Sequence, residues 1–386
     1  MKKNVLYICL LSLLASYSCT TSCKKENNFS ASEPFYFTDD SDFVHNNKFL
    51  SDTGILGKQI FFDASLSEPV GISCGTCHSP SAGFADGRHT AFSVGIDPLN
   101  PSDRNTISIA YNILAPDRHG DSIRGLPEDV GGYFWDGRAE FIEAQVTSPL
   151  LNPKEMNNKD IGQVASKIRK APYFNDLKKL FKISNTKDDQ MVMYATMLAL
   201  KSFQTSKQVN PYTSKFDFYL QGKVKLSDAE MRGWKLFQDT TKSKCSLCHL
   251  SEANKFTNTI VFADFSYDNI GVPKHPSQIH LPLDSGFAKA EFVGKPIVIN
   301  PLEIGRFKTA SLRNINKTAP YMHNGVFETL EEVLEFYNTR DVNAKYVPEY
   351  TPTMNTEDMG DLKLSDTDIA DIIAFLKTLD DGYRLK

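Results

Sequence analysis

Two pentapeptides contain the residues of this sequence best suited to chemistry, Cys74-Gly75-Thr76-Cys77-His78 and Cys245-Ser246-Leu247-Cys248-His249. In each, two thiols three positions apart can form thioether bonds to the vinyl groups of one haem. The histidine that follows can bind the haem iron. The sequence therefore predicts two covalently attached c-type haems.

Two other uses of paired cysteines fit the sequence less well. About 170 residues separate the pairs, whereas roughly 15–20 separate the pairs of a zinc ribbon. A zinc site would also leave the histidine after each pair unexplained. A thioredoxin-like dithiol needs a βαβ setting, which neither pair has.

The composition of the whole chain narrows the possibilities further. A chain of 386 residues is long enough for about two domains, which matches the two haem motifs. The 43 Lys and Arg against 47 Asp and Glu give a net charge of −4, so no nucleic-acid partner is indicated. The seven cysteines are Cys9, Cys19, Cys23 and the four thiols of the pentapeptides, which leaves no pair for a disulfide in the mature body.

The first 23 residues are typical of an export signal. Lys2 and Lys3 precede an apolar run, residues 5–15, that is too short to be a comfortable membrane span. Export suits the haem motifs, and the protein is expected in the periplasm or as an outer-membrane lipoprotein.

Two cysteines near the end of the signal are candidates for lipidation. Cys19 and Cys23 each follow a serine, as at a lipoprotein cleavage site, and a plain cleaved signal is the alternative. A lipid anchor would be the only membrane contact, and the polar residues 24–48 are expected to form a tether.

The segments before the two pentapeptides resemble each other. Each predicts a short amphipathic helix, with Gly-Lys-x-x-Phe in the first copy and Gly-x-x-Leu-Phe in the second, followed by a loop and the haem motif. We therefore expect a mainly α fold with two cytochrome c-like domains related by internal duplication, each with one covalently bound haem. The expected domains are residues 49–208 and 209–386, with the C-terminal tail packed back on the first domain.

Further helices and loops follow from periodicity and capping. Capping residues Ser227, Thr329 and Ser365 each begin a predicted helix. Helical periodicity also covers residues 160–183 and 189–205. Residues 79–105 and 251–303 are predicted to be irregular loops over the haems, and no strand hairpin is expected.

Several segments in their order along the chain resemble the bacterial dihaem cytochrome c peroxidase family, which includes the MauG-like enzymes. They are LGKQIFFD, ISCGTCHSP, FWDGRAE, FKTASLRNI, TAPYMHNG and LEEVLEFY. The resemblance extends from about Leu50 to Leu379. It implies that hydrogen peroxide binds at the N-terminal haem, and that the C-terminal haem accepts electrons or holds an oxidising equivalent.

The resemblance also implies roles for individual residues around the first haem. His78 and His249 would be the proximal ligands of the two irons. Glu155 would be the distal carboxylate that moves a proton between the peroxide oxygens. Gln145 would donate a hydrogen bond to peroxide, and Pro149 would form a wall of the pocket. Without the resemblance, Glu155 would be interpreted as a solvated loop carboxylate.

Trp135 matches the family's tryptophan between the haems, where an oxidisable indole can carry an electron or a hole. Its alternative role is that of a core tryptophan stacked on haem.

The resemblance also implies a calcium site. Asn105, Thr318 and Pro320 match positions whose oxygens bind a calcium ion, and oxygen ligands suit that cation.

Two positions depart from the usual family pattern. Where many members have a second histidine ligand for the first haem, the turn here has Ile96, which cannot bind iron. This haem is therefore expected to be five-coordinate or water-bound in the oxidised protein, with no need for reductive activation. His89 is the nearest substitute ligand, although a solvated loop histidine is the other interpretation.

The second departure is the sixth ligand of the C-terminal haem. Tyr337 occupies the position of the usual methionine, as tyrosine does in MauG-like members, and a phenolate favours ferric and higher oxidation states. A core tyrosine is the alternative role, because Tyr337 lies on the apolar stripe of its helix. Met322 and His323 are competing ligands.

Three functions are compatible with these residues. The first is a hydrogen peroxide-reducing peroxidase that takes electrons from a small cytochrome c or cupredoxin. The second is a MauG-like oxidase that uses peroxide to oxidise a partner protein or small molecule, with Trp135 and Trp234 as the only tryptophans to carry a hole. The third is a non-catalytic electron-transfer cytochrome. A homodimer is possible for any of them.

Overall fold

The computed structural model describes residues 40–123, 125–253, 255, 258–289 and 299–385. The predicted signal, with Cys19 and Cys23, lies outside these residues. Helices dominate the described part of the chain: α1 (Asp40–His45), α2 (Asp52–Phe61), α3 (Cys74–Cys77), α4 (Ile142–Leu151), α5 (Ile161–Lys170), α6 (Phe174–Leu180), α7 (Asp189–Gln204), α8 (Lys215–Leu220), α9 (Asp228–Gln238), α10 (Leu330–Thr339) and α11 (Asp366–Lys377).

Local sequence explains where several helices begin. Ser227, Thr329 and Ser365 cap α9, α10 and α11 through capping boxes, as predicted. The periodic segment 160–183 forms two helices rather than one, because Pro172 lies between α5 and α6 and cannot continue the first.

Two helix crossings organise the two halves of the chain in the same way. A Cβ atom on Gly57 of α2 would lie 1.9 Å from the carbonyl oxygen of Ala199 in α7, and one on Gly233 of α9 would lie 1.8 Å from that of Asp371 in α11. Only glycine allows backbones to approach so closely. The glycines of the duplicated motif are therefore the contact points of equivalent helix pairs.

Each crossing lies within its own apolar core. The first core includes Phe61 and Phe203, whose ring centroids are 5.1 Å apart, and the second includes the corresponding pair Phe237 and Phe375 at 5.2 Å. Edge-to-face and tilted rings of this kind contribute beyond their buried area. The tail after α11 reaches the first half, where Asp381 accepts a hydrogen bond of 2.8 Å from the Tyr111 hydroxyl.

Two short antiparallel pairs complete the described fold: β1 (His119–Ile123) with β2 (Leu126–Val130), and β3 (Tyr267–Asp268) with β4 (Phe307–Lys308). In register, His119 lies opposite Val130 and Tyr267 opposite Lys308. The expectation that there is no strand hairpin was wrong for β1 and β2. Their Gly, Pro and Asp residues hide the usual strand pattern, and Gly125 forms the turn with a φ of 80°.

The predicted tether extends too far into the fold. Residues 40–45 form α1, and Phe43 is only 2% exposed because it packs against Phe84 and Phe203. Asp40 accepts hydrogen bonds from the Ser79 hydroxyl and the Ser81 amide, both at 2.7 Å. This helix therefore packs beside the loop that follows the first haem motif.

Within the described ranges, none of the helices combines the length and the hydropathy needed to cross a bilayer.

Candidate active site

The two motif histidines are fixed in the same way. The Nδ1 atom of His78 lies 2.9 Å from the carbonyl oxygen of Phe84, and that of His249 lies 2.9 Å from the carbonyl oxygen of Phe262. A carbonyl can only accept, so each Nδ1 carries the proton and each Nε2 keeps a lone pair for a metal. Burial lowers the pKa of both imidazoles, which favours this neutral form.

The carbonyls that fix the histidines come from matching turns. Phe84 and Phe262 both have left-handed backbones, with φ of 63° and 53°. The preceding carbonyl accepts a 2.6 Å hydrogen bond from Ser108 in the first half and from Ser311 in the second. Since a positive φ is costly for phenylalanine, its occurrence at both sites shows a shared design.

The four motif cysteines, all within the described residues, form no disulfide. Burial raises the pKa of Cys74 to about 12 and that of Cys77 to about 11, so both thiols hold their protons when no group is bound to them. Among the described residues, no three His, Cys, Asp or Glu side chains converge on a metal site of their own. The zinc alternative therefore has no support in this part of the chain.

Each pentapeptide borders one large cavity. The cavity at Cys74 has about 2360 Å³ free of protein atoms, and the cavity at Cys245 has about 1860 Å³, part of each open to solvent. Gln204 borders the first cavity, and its buried Oε1 has no hydrogen-bond partner among the described residues. The space, the paired thiols and the oriented imidazole fit a haem in each cavity, and the orphaned oxygen of Gln204 gives the first cavity one more polar group for it.

The predicted distal residues meet at the first cavity. Gln145 and Pro149 lie on α4, Glu155 lies in the loop after it, and all three border the cavity that contains His78. The Asn152 amide donates a 2.7 Å hydrogen bond to Oε1 of Glu155. Burial raises the pKa of Glu155, opposed by this hydrogen bond and by the charge of Arg138, so the carboxyl retains its proton to a higher pH than an exposed glutamate does.

The turn that contains Ile96 packs against Glu155. The Ile96 amide donates a 3.0 Å hydrogen bond to the Glu155 carbonyl. A Cβ atom on Gly95 would lie 2.2 Å from the Lys154 carbonyl oxygen and 2.7 Å from Cα of Glu155. Gly95 borders the first cavity, whereas the Ile96 side chain is not among the described residues that do.

His89 lies on the surface rather than at the first cavity. Its Nδ1 atom is 3.0 Å from the Ala319 carbonyl oxygen, and the residue is exposed. This position favours the interpretation of His89 as a solvated loop histidine over that of a substitute haem ligand.

All three candidate sixth ligands border the second cavity, which contains His249. They are Tyr337, Met322 and His323. The His323 ring stacks on Phe307 with centroids 3.6 Å apart, and burial lowers its pKa to about 4. Burial raises the pKa of Tyr337, and its hydroxyl makes no hydrogen bond to any described residue.

The internal duplication relates Tyr337 to Pro149. The Tyr133 amide donates to the Ala139 carbonyl at 2.8 Å, and the Tyr321 amide donates to Phe327 at 2.7 Å, in two matching turns. The same spacing along the chain relates the start of α4 to the start of α10, and Pro149 to Tyr337. At equivalent positions, one cavity therefore has a ring without a ligand atom and the other has a phenol.

Trp135 borders both cavities. Its Nε1 donates a 2.9 Å hydrogen bond to the Asn105 carbonyl, and its own carbonyl accepts a 2.7 Å hydrogen bond from the Lys308 amide. Trp234 instead packs in the second core, with its ring centroid 4.8 Å from that of Phe216, and it is not among the described residues that border either cavity.

The three predicted calcium residues, Asn105, Thr318 and Pro320, all border the second cavity. The Asn105 amide nitrogen lies 3.4 Å from the carbonyl oxygen of Thr90 and 3.3 Å from that of Ala91. Its Oδ1 accepts no hydrogen bond from the described residues, so an oxygen remains for a cation.

Sequence reasoning missed a partly buried charge network between the halves. Arg104 pairs with Asp136 at 2.6 Å and with Asp284 at 2.7 Å, and Asp136 also pairs with Arg138 at 3.0 Å. Asp284 borders both cavities. The available clue was that Arg104 directly precedes Asn105 and that Asp136 directly follows Trp135.

The fold and these two sites define a class, the c-type cytochromes with two haems. A family model described as di-haem cytochrome c peroxidase matches residues 52–225. The chain is 34% identical over 345 residues to the methylamine utilization protein MauG of Paracoccus denitrificans, covering 84% of this chain and 88% of that protein. It is 30% identical over 336 residues to the cytochrome c551 peroxidase of Nitrosomonas europaea, covering 85% and 80%.

A solved structure is also similar. The dihaem peroxidase BthA from Burkholderia thailandensis matches with a TM-score of 0.77 and 29% identity, covering 87% of this chain and 88% of that one. The chain therefore belongs to the di-haem cytochrome c peroxidase family, together with MauG-like members. The predicted fold class and the prediction of a peroxidase-type oxidoreductase are confirmed.

Proposed function

We propose that this protein reduces hydrogen peroxide to water at the first haem site, with electrons delivered through the second. The observation that supports this most is the meeting of Glu155, Gln145 and Pro149 at the cavity of Cys74, Cys77 and His78. The equivalent position at the second cavity has Tyr337, which would fill the distal side there.

Cys74, Cys77 and His78 would hold the first haem, and Cys245, Cys248 and His249 the second. When bound, haem supplies iron that exchanges electrons with peroxide. The Glu155 carboxylate takes the proton from one peroxide oxygen and returns it to the other as the bond between them breaks. Gln145 orients peroxide through its amide, and Pro149 leaves room because it offers no ligand atom. Overall, one peroxide, two electrons and two protons give two waters.

Trp135 would carry electrons between the sites one at a time, since it borders both cavities and is fixed at its indole nitrogen and its carbonyl. The electrons would come from a small cytochrome c or cupredoxin.

We further propose export to the periplasm or outer membrane, with lipid on Cys19 or Cys23, and a calcium ion held by Asn105, Thr318 and Pro320. The domain division at residues 208 and 209 and a homodimer also remain proposals.

The test is Glu155→Gln, which keeps the shape of the side chain but removes the base. Turnover of peroxide with reduced cytochrome c should fall by about 10²–10⁴-fold. The matched control is Glu143→Gln on α4, a carboxylate paired with Lys201 at 2.7 Å that is not among the described cavity residues. The control should keep its rate. Unchanged turnover in Glu155→Gln would refute the assigned role.

Tyr337 favours a second candidate, the MauG-like oxidase. A phenolate stabilises high oxidation states, so this site would store an oxidising equivalent for a partner protein or small molecule. Rapid turnover with reduced cytochrome c would support the peroxidase. No turnover, together with a peroxide-induced near-infrared band, would support the oxidase. The non-catalytic alternative is set aside because the family is one of enzymes.

A further inference from the structure

Lys308 is a buried lysine between the two haem sites. It ends β4, is 3% exposed and borders both cavities. Within the described residues its ammonium donates to a backbone carbonyl and forms no ion pair. A buried charge without a partner carboxylate is costly to keep, so its presence at this position calls for a functional reason.

Two hydrogen bonds connect Lys308 to the turn that contains Trp135. The Lys308 amide donates to the Trp135 carbonyl at 2.7 Å, and Nζ donates to the Gly132 carbonyl at 2.6 Å. Nζ also lies 5.7 Å from the ring centroid of Tyr133 and 6.0 Å from that of Phe265. The side chain is therefore held against residues 132–135 on one side and aromatic faces on the other.

The carboxylate that raises the pKa of Lys308 is Asp136, which already forms ion pairs with two arginines. Asp136 raises the pKa of Lys308 against the stronger effect of burial, which lowers it to about 7. Asp136, however, pairs directly with Arg104 and Arg138. Arg104 pairs in turn with Asp284. With Lys308 protonated, these five groups leave one net positive charge beside Trp135.

The first half contains an equivalent of Lys308 that makes the same backbone contact without a charge. Asn105 is the first-half equivalent of Lys308, since its amide donates to the His323 carbonyl at 2.7 Å just as the Lys308 amide donates to Trp135. The first half makes this contact with a neutral side chain. The ammonium is therefore not required for the backbone contact.

The positive charge of Lys308 affects how easily Trp135 is oxidised, because the indole keeps its proton. The Nε1 proton of Trp135 is donated to a carbonyl oxygen, which is too weak a base to remove it. In the proposed relay, Trp135 would give one electron to the more oxidised haem and take one from the other, and in between the indole would keep its proton and be a cation. A positive charge nearby raises the free energy of that cation.

We propose that Lys308 is the charge-setting residue of the Trp135 bridge: its charge opposes oxidation of the indole and limits electron exchange between the haems. This inference depends on the proposed role of Trp135 as a relay. It concerns a residue with no role in the site as described so far.

The experiment compares Lys308→Met, which removes the charge and the donor, with Lys308→Gln, which removes the charge and keeps a donor. Both are made in the full-length, haem-loaded protein and studied at pH 6, where the lysine is protonated. Lys58→Met is the matched control. Lys58 is also buried and hydrogen-bonded to backbone carbonyls, at Phe43 and Asn46, but is not among the described cavity residues.

Two quantities are measured: the midpoint potentials of the haems in a spectroelectrochemical titration, and the rate of electron exchange between the haems after rapid partial reduction. Loss of the charge should lower the equilibrium constant for haem reduction about tenfold, or about 59 mV for one electron. It should also speed exchange about tenfold. The Met and Gln variants should agree, and Lys58→Met should match the unmodified protein.

The outcomes separate this inference from the relay itself. If Trp135→Phe slows exchange but both Lys308 variants keep the original potentials and rate, the inference about Lys308 is wrong. If only Lys308→Met differs and Lys308→Gln does not, the hydrogen bond matters and the charge does not, which also overturns it. If Trp135→Phe leaves exchange unchanged, the relay in the proposed function fails, whatever the Lys308 variants show.

Discussion

Replacing Gly95 with alanine tests how closely the turn at Ile96 constrains Glu155, the proposed distal carboxylate. The new Cβ would lie 2.2 Å from the Lys154 carbonyl oxygen and 2.7 Å from Cα of Glu155, whereas real contacts essentially never fall below 3.0 Å. The two segments must therefore separate by about 0.8 Å. Gly95 is not among the glycines with positive φ, so the substitution acts through this clash and not through backbone strain.

If peroxide binds as proposed, the separation moves Glu155 relative to it. Since a displacement of about 1 Å can reduce a rate about 10²-fold, we expect kcat/KM for peroxide to fall about 10–100-fold. The extra methyl group should also lower the free energy of unfolding by about 1–3 kcal/mol. Both values are measured on the purified, haem-loaded variant, with reduced cytochrome c as donor and with chemical unfolding.

Gly120→Ala is the matched control, because a Cβ at Gly120 has nothing within 4 Å. It should keep both the activity and the stability of the original protein. A Gly95→Ala variant with unchanged kcat/KM and unchanged stability would refute the reasoning, since the contact with residues 154 and 155 would then not constrain the loop.

Three further predictions address the second cavity, the acid and base chemistry and the helix crossings. Tyr337→Phe removes only the phenol oxygen, so the second haem should lose its low-spin absorption spectrum; an unchanged spectrum would assign the ligand to Met322 or His323. Because burial raises the pKa of Glu155 and the proposed proton transfer needs its carboxylate form, kcat/KM should decline as pH falls, with a midpoint above the value of about 4.3 for free glutamate. A midpoint at or below that value would contradict this assignment. Gly233→Ala places a Cβ 1.8 Å from a backbone carbonyl and should cost about 1–3 kcal/mol in chemical unfolding; an unchanged unfolding curve would show that the helices can separate freely.

Local sequence features predicted a good part of this molecule. The capping boxes at Ser227 and Thr329 and the periodicity of residues 189–205 marked helices that the structure contains. These features act over one or two turns of chain, so they are visible in sequence. The spacing of Cys, Cys and His in each pentapeptide is equally local.

Features that depend on distant partners were not predictable in the same way. Phe43 gave no clue that its segment packs on Phe84, because a helix of six residues has too little periodicity to recognise. The hairpin at residues 119–130 contains Gly, Pro and Asp, which usually mark loops. Sequence alone could not show that a buried lysine at position 308 lies against Trp135.

The duplication was visible in the motifs, but its most informative consequence was not. The equivalence of Pro149 and Tyr337 appears only when the two matching turns and their following helices are compared in space. It provides a structural reason for the two sites to differ on their distal sides.

That difference is tested most directly by low-temperature EPR spectroscopy of the oxidised, haem-loaded protein. Pro149 borders the first cavity and offers no ligand atom, whereas Tyr337 borders the second and is the proposed ligand there. We therefore expect one high-spin ferric component and one low-spin component in equal amounts. Two low-spin components would mean that a ligand fills the first site, and would contradict an open peroxide site in the resting protein.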